Sequence, residues 1–124
     1  MRLKPAVTPQ LRAAGFDDLP QIAALGAEAL PEAWSSAALE SSLTMEYHTL
    51  IVATRRGATR SDEQHLVGYY LSCQVARDVE LLQLVVAPVC RRQRVGSYLL
   101  RHLIAAAAPF DHITLEVRAS NSAA

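Results

Sequence analysis

Apolar residues recur along this chain at two spacings, one helical and one alternating, and the switches between them divide it into elements. Leu19, Ile22, Ala23 and the run from Gly26 to Ala29 follow a helical stripe that reaches about Leu30. Asp17 and Asp18 offer an N-cap before it, Pro20 suits its first turn, and Pro31 ends it. Ser35 is placed to cap a second helix carrying Leu39 and Leu43 on one face. A third helix is expected over 95–108, burying Leu99, Leu100, Leu103, Ile104 and Ala107, with Pro109 as its stop.

From Tyr47 the period changes. Leu50, Ile51, Val52 and Ala53 predict a short strand, followed over 55–64 by a polar loop with Gly57, Ser61 and Asp62. Val67, Tyr69, Leu71, Cys73 and Val75 then alternate with Gly68, Tyr70, Ser72 and Gln74, the pattern of a half-buried strand. Arg77 and Asp78 make a turn, and residues 81–87, apolar on both faces, predict a central strand covered on both sides. Over 112–118, Ile113, Leu115 and Val117 share one strand face, while Thr114, Glu116 and Arg118 share the other. Near the start, Leu11, Arg12, Ala13 and Ala14 read as a short first strand after a loose arm over 1–10. The order is strand, two helices, three strands able to pair antiparallel, helix, strand. It predicts an α/β domain around a mixed sheet.

At 124 residues the chain suits a single domain spanning 1–124. Its 12 basic residues equal its 12 acidic ones, so no global field draws it to nucleic acid or an anionic membrane, though local basic clusters can hold small anions. No apolar run approaches a membrane span, and the first residues lack the apolar core of a signal peptide, which predicts a cytoplasmic protein. Cys73 and Cys90, like His48, His65, His102 and His112, lack metal-ligand spacing, so no metal is expected.

The richest chemistry lies where the 81–87 strand runs into Pro88-Val89-Cys90-Arg91-Arg92-Gln93-Arg94-Val95-Gly96-Ser97 and opens the third helix. The first backbone N–H groups of a helix lack partners and carry partial positive charge, so a phosphate can sit there, and arginines beside the turn add charged donors. Read from residues alone, this is an anion site at a helix N-terminus. Glu116, on the polar face of the last strand, is either a surface carboxylate paired with Arg118 or a general base for an amine. An α-amino group titrates near pH 8 and is mostly protonated at neutral pH; a carboxylate in a cleft could take that proton with about 1–2 kcal/mol of help. Glu80, beginning the other strand of the presumed cleft, is the alternative base. Trp34 reads either as a core aromatic or as a wall of the substrate site.

The stretch Arg91-Arg92-Gln93-Arg94-Val95-Gly96 resembles the acetyl-CoA-binding motif of the GCN5-related N-acetyltransferases, Gln/Arg-x-x-Gly-x-Gly/Ala, with Arg94 at the usual first glycine. Leu115-Glu116-Val117-Arg118-Ala119-Ser120-Asn121 resembles the Leu-Glu-Val-Arg-x-Ser-Asn signature of the bacterial ribosomal-protein-alanine N-acetyltransferases. Pro31-Glu32-Ala33-Trp34-Ser35 and the strand from Glu80 to Pro88 are similar to segments of the same subfamily, so the likeness covers residues 11–121. It implies a mostly antiparallel sheet flanked by helices. It also implies acetyl transfer from acetyl-CoA to a primary amine, with the N-terminal alanine of a ribosomal protein as acceptor.

Carried onto this chain, the resemblance implies that Leu84, Val85 and Val86 offer backbone groups to the acetyl and pantetheine part of acetyl-CoA. Arg91, Arg92, Gln93, Arg94, Val95, Gly96 and Ser97 would wrap its pyrophosphate. Asn121 would bind near the thioester and Glu116 would be the base. Arg94 leaves two alternatives: a positive φ would store strain on the order of 1–2 kcal/mol, while a helical φ would let the side chain add a phosphate contact. The family places a tyrosine acid about three helical turns after the Asn, then a final helix and strand pair; the sequence ends before these at Ala124. The expectation is therefore a C-terminally truncated copy whose last strand presents an open edge for homodimer formation. Tyr69, Tyr70 and Tyr98 are the nearest replacements for the acid, although packing roles account for each. Two rival readings are a degenerate domain that binds CoA or a protein without turnover, and an acetyltransferase for a small-molecule amine such as a polyamine or aminoglycoside.

Overall fold

A computed structural model describes residues 8–30, 34–56, 64–90 and 94–115. Five strands form one sheet in chain order: β1 Gln10–Ala13, β2 His48–Arg56, β3 Gln64–Val75, β4 Asp78–Val86 and β5 His112–Leu115. β1 to β4 pair antiparallel, each with the next. β5 is parallel to β4, because the chain crosses back through helix α3, Val95–Ala106, before laying it down. Two further helices, α1 Leu19–Ala29 and α2 Ser36–Leu43, connect β1 to β2. This is a mixed, mostly antiparallel α/β sheet flanked by helices. Among the described residues, no helix is long and apolar enough to cross a membrane.

β3 is the middle of the molecule. Val67 through Ser72 are buried on both faces, so the half-buried strand expected from their alternation is corrected. A strand paired on both sides, with α1 and α3 packed over it, has no solvated face to give its tyrosines and glycine. Gly68 shows how tightly α3 is seated. A Cβ there would lie 2.9 Å from the Val85 carbonyl oxygen, 3.1 Å from Leu99 Cδ1 and 3.2 Å from Val95 Cγ1. The missing side chain lets the first turns of α3 rest directly on β3.

β4, expected to be covered on both faces, alternates instead. Val79, Gln83 and Val85 are buried, and Glu80, Leu82, Leu84 and Val86 are partly exposed. The buried stripe of α3 is Val95, Leu99, Leu103 and Ala107, while Ile104, expected in the core, is 53% exposed. One turn of helix covers its face with a residue every fourth position, and Ile104 falls one step off that line.

Ser35 caps α2 as expected, its hydroxyl accepting from the Ala38 N–H at 3.2 Å. Asp18 acts differently from the expected side-chain cap of α1. It makes no side-chain cap to that helix; its carboxylate accepts from the Gly15 N–H at 2.8 Å and pairs with Arg12 at 2.7 and 2.8 Å. It thereby ties β1 to the turn that starts α1. The first strand also begins one residue earlier than expected, and the last is described only to Leu115.

Candidate active site

The site begins with an interruption in the β3–β4 ladder. Leu71 pairs with Gln83 and Ser72 with Leu81, so Leu82 is an extra residue on β4, a bulge. Beyond it the pairing sets which backbone groups are free. The Ala87 N–H donates to the Val67 carbonyl at 2.8 Å, and in an antiparallel ladder alternate residues bond the same neighbour. Val85, opposite Tyr69, and Gln83, opposite Leu71, therefore turn their backbone groups to β3. Leu84 and Val86 turn theirs the other way. On that side β5 pairs with β4 only from Asp78 to Leu81, so among the described residues Leu84 and Val86 face no strand. Of the three residues expected to offer backbone groups, Val85 has its own committed to the sheet.

The N-terminus of α3 abuts this free edge. A Cβ on Gly96 would lie 3.6 Å from Val86 Cγ2, an ordinary contact. The first intrahelical bond runs from the Tyr98 N–H to the Arg94 carbonyl at 3.1 Å, which leaves the amides of Val95, Gly96 and Ser97 ahead of the first helical bond. Val95 contributes only backbone, since its side chain is wholly buried. Arg94 precedes the helix at φ 67°, ψ 14°, with an exposed side chain. The left-handed alternative thus holds: arginine occupies a conformation that glycine adopts freely. Successive amides, an adjacent guanidinium and a glycine that packing does not require suit a phosphate brought close to backbone. Arg91, Arg92 and Gln93 lie outside the described residues.

The opposite face of the sheet is closed by Trp34, just before α2. The buried Gln83 amide is placed with its oxygen toward Trp34, because the reverse would set its NH2 against two donors. So oriented, it accepts from the Trp34 backbone N–H at 3.3 Å and the indole Nε1–H at 3.2 Å, and donates to the Tyr69 hydroxyl at 2.7 Å. The indole also lies 6.3 Å from the His48 ring, whose Nδ1 is 2.6 Å from Ser42 Oγ. Sequence reasoning missed Gln83, although a lone amide inside Leu81-Leu82-Gln83-Leu84-Val85-Val86 is a visible signal: a buried polar side chain needs a partner.

Glu80 sits opposite Cys73 on β3 and Thr114 on β5, half-buried. Burial, and next the charge of Glu80, push the Cys73 thiol up from its ordinary value. Glu116 and Asn121 lie outside the described residues; Leu115, just before Glu116, pairs with Leu81. Burial pushes the Tyr69 and Tyr70 hydroxyls up to about 12, and each is held, Tyr69 by Gln83 and Tyr70 by His102 Nδ1 at 2.7 Å. Neither is a free acid facing the β4 edge. Tyr98 is half-buried on α3.

A strand whose bulge and outward backbone meet a helix N-terminus suits an extended ligand that ends in a phosphate, and comparison with known proteins gives the class. The family model of the acetyltransferase (GNAT) family matches residues 19–124. The chain belongs to the GNAT acetyltransferase family, whose members use acetyl-CoA as co-substrate.

The ribosomal-protein-S18-alanine N-acetyltransferase of Escherichia coli has a similar structure, with 26% identity, a TM-score of 0.76, and coverage of 93% of this chain and 70% of that one. A GNAT family acetyltransferase of Staphylococcus aureus is similar in fold at 15% identity, TM-score 0.72, covering 94% and 91%. So is an aminoglycoside acetyltransferase from an uncultured soil metagenomic sample, in complex with sisomicin, at 16% identity, TM-score 0.73, covering 94% and 82%. No curated protein matches by sequence comparison.

Proposed function

We propose that this chain acetylates the N-terminal alanine of a ribosomal protein, with acetyl-CoA as donor. The observation that carries the cofactor half is the meeting of the β4 backbone at Leu84 and Val86, which faces no strand among the described residues, with the amides of Val95, Gly96 and Ser97 ahead of the first helical bond. The acceptor half is supported by the Leu115-to-Asn121 signature and by the 26% identity to the Escherichia coli alanine acetyltransferase.

Acetyl-CoA supplies the acetyl group as an activated thioester. In this reading the α3 amides and Arg94, with Arg91, Arg92 and Gln93, hold its pyrophosphate. Leu84 and Val86 bind the pantetheine arm and supply a backbone N–H toward the developing oxyanion. Asn121 binds near the thioester. Glu116 takes the proton that the α-amino group carries at neutral pH, leaving its lone pair free to attack. The CoA sulfur departs as thiolate without strong acid help, since an ordinary alkyl thiol such as that of cysteine has a pKa near 8.5. Self-association through the outer edge of β5, which has a described partner only on its β4 side, belongs to the same reading. Sedimentation at increasing concentration reads it directly.

A second reading, acetylation of a small-molecule amine, is favoured by the fold shared with the aminoglycoside enzyme. One experiment separates the readings. Release of CoA thiol is followed with a peptide beginning in alanine, the same peptide beginning in proline, and sisomicin. Turnover restricted to the alanine peptide supports the proposal; turnover on sisomicin alone replaces its acceptor; no thiol release, with acetyl-CoA shown to bind, leaves a binding domain.

A further inference from the structure

The buried amide of Gln83 links two parts of the molecule that the reaction must bring together. Its backbone belongs to β4, one residue before Leu84 turns its backbone groups to the free edge, and one residue after the bulge at Leu82. Its side chain points to the other face and holds Trp34 by two hydrogen bonds. Trp34 lies just before α2, is half-buried, and has the His48 ring 6.3 Å away.

We propose that Gln83 is a positioning residue: by fixing the indole of Trp34 over β4, it sets one wall of the acceptor pocket and so governs affinity for the amine but not for acetyl-CoA. The inference rests on the acetyl-transfer reading and adds to it the residue that orients the acceptor side.

The physical basis is satisfaction of the hydrogen bonds around a buried amide. An indole N–H and a backbone N–H beside an apolar strand are costly to leave unpaired. Gln83 offers one oxygen to both, and its NH2 is anchored in turn by Tyr69. Tyr69 is 1% exposed, so the anchor is rigid. A chain of buried hydrogen bonds running from β3 through β4 to the α1–α2 segment has one low-energy arrangement. Methionine at position 83 would fill a similar volume but offer Trp34 no acceptor, and the indole would turn outward to find water. The backbone of β4 and the N-terminus of α3 would keep their places, because Gly68, Val95 and Leu99 hold them on the opposite face.

Trp34 is the chain's single tryptophan, so its emission reports this contact alone. The experiment compares wild type, Gln83→Met, Gln83→Glu and Trp34→Phe. Emission maximum and acrylamide quenching are measured for the first three. Melting temperature, and KM for acetyl-CoA and for whichever amine the wild type acetylates (the alanine peptide or sisomicin), are measured for all four. In Gln83→Met, emission should shift to the red, quenching should rise, and acceptor KM should rise about tenfold, the loss expected for one to two hydrogen bonds. Its KM for acetyl-CoA should stay within twofold. Gln83→Glu, which keeps the acceptor oxygens, should restore emission near wild type. Trp34→Phe, which removes the indole donor without emptying the site, should raise acceptor KM while keeping a melting temperature close to wild type.

Unchanged emission in folded Gln83→Met would overturn the contact. A red shift with unchanged acceptor KM would overturn the positioning role, as would equal rises in both KM values. Should Gln83→Met prove unfolded, Trp34→Phe decides by the same KM comparison. A wild type without turnover on either amine would instead count against the acetyl-transfer reading, a separate result.

Discussion

Arg94→Gly should make the protein more stable while weakening its hold on acetyl-CoA. Arg94 stands at φ 67°, ψ 14°, where the Cβ of an L-residue approaches the following carbonyl and costs about 1–2 kcal/mol. Glycine removes that cost but gives the unfolded chain more freedom, worth about 0.5–1 kcal/mol against folding. The difference is a net gain of about 0.5–1 kcal/mol. For a domain of this length, that raises the melting temperature by about 2–5 °C. Arg94→Ala is the control, because it keeps the Cβ and loses the rest of the side chain, guanidinium included. It should melt no higher than wild type. Both variants should bind acetyl-CoA up to about fivefold more weakly, the effect of one exposed charge. Thermal unfolding followed by circular dichroism, with titration of acetyl-CoA by calorimetry, separates the two effects. If the Gly and Ala variants melt together, no strain is stored at this position and the reasoning fails.

Other consequences can be read with equally simple assays. Asp18 is held below its ordinary carboxylate value, first by the Arg12 hydrogen bond and also by the Gly15 amide. Its contribution is therefore complete above about pH 4 and lost as pH falls through the lowered folded value. Asp18→Asn should cost about 0.5–1.5 kcal/mol at pH 7, and its urea midpoint should converge with wild type as pH falls through that lowered value; a gap independent of pH would contradict this. Gly68→Ala should cost about 1–3 kcal/mol, because the new methyl meets the Val85 carbonyl oxygen at 2.9 Å; an unchanged midpoint would mean that α3 can shift freely. Glu116→Gln should lower turnover most near pH 7 and recover toward pH 9–10, where the amine is already neutral. Equal loss at every pH would assign Glu116 a structural role. Saturating acetyl-CoA should raise the melting temperature by mass action, and added salt should reduce that rise.

The elements whose limits depend on local chemistry were legible in the chain. Ser35 caps α2 because its side-chain oxygen competes well for a helix N–H wherever it is placed. The strand expected over 81–87 and the helix expected over 95–108, observed as β4 and α3, were legible because an apolar run, a breaker and an amphipathic repeat follow one another. β3 was misread because its alternating Tyr, Ser and Gly residues resemble a solvated face. Its tyrosines are instead buried with hydroxyl partners, Gln83 and His102, that only tertiary placement supplies. The site shows the same division. The motif marks position 94, but residue type does not set φ; the backbone at the start of α3 does. Which of Leu84, Val85 and Val86 faces outward depends on register, a property of two strands together.

The bulge at Leu82 also sets the parity of the strand. Side chains on a strand alternate, so residues three apart ordinarily point to opposite faces. Glu80 lies opposite Cys73 and Gln83 opposite Leu71, and Cys73 and Leu71 share a face of β3. Glu80 and Gln83 therefore point the same way, toward the side that Trp34 covers, because one extra residue between them resets the count. Deleting Leu82 would leave composition and hydropathy nearly untouched, yet it would send either the carboxylate or the amide through the sheet to the α3 side. Single-residue insertions and deletions in this strand are thus reading-frame changes of the fold, and no substitution at Leu82 is equivalent to its loss.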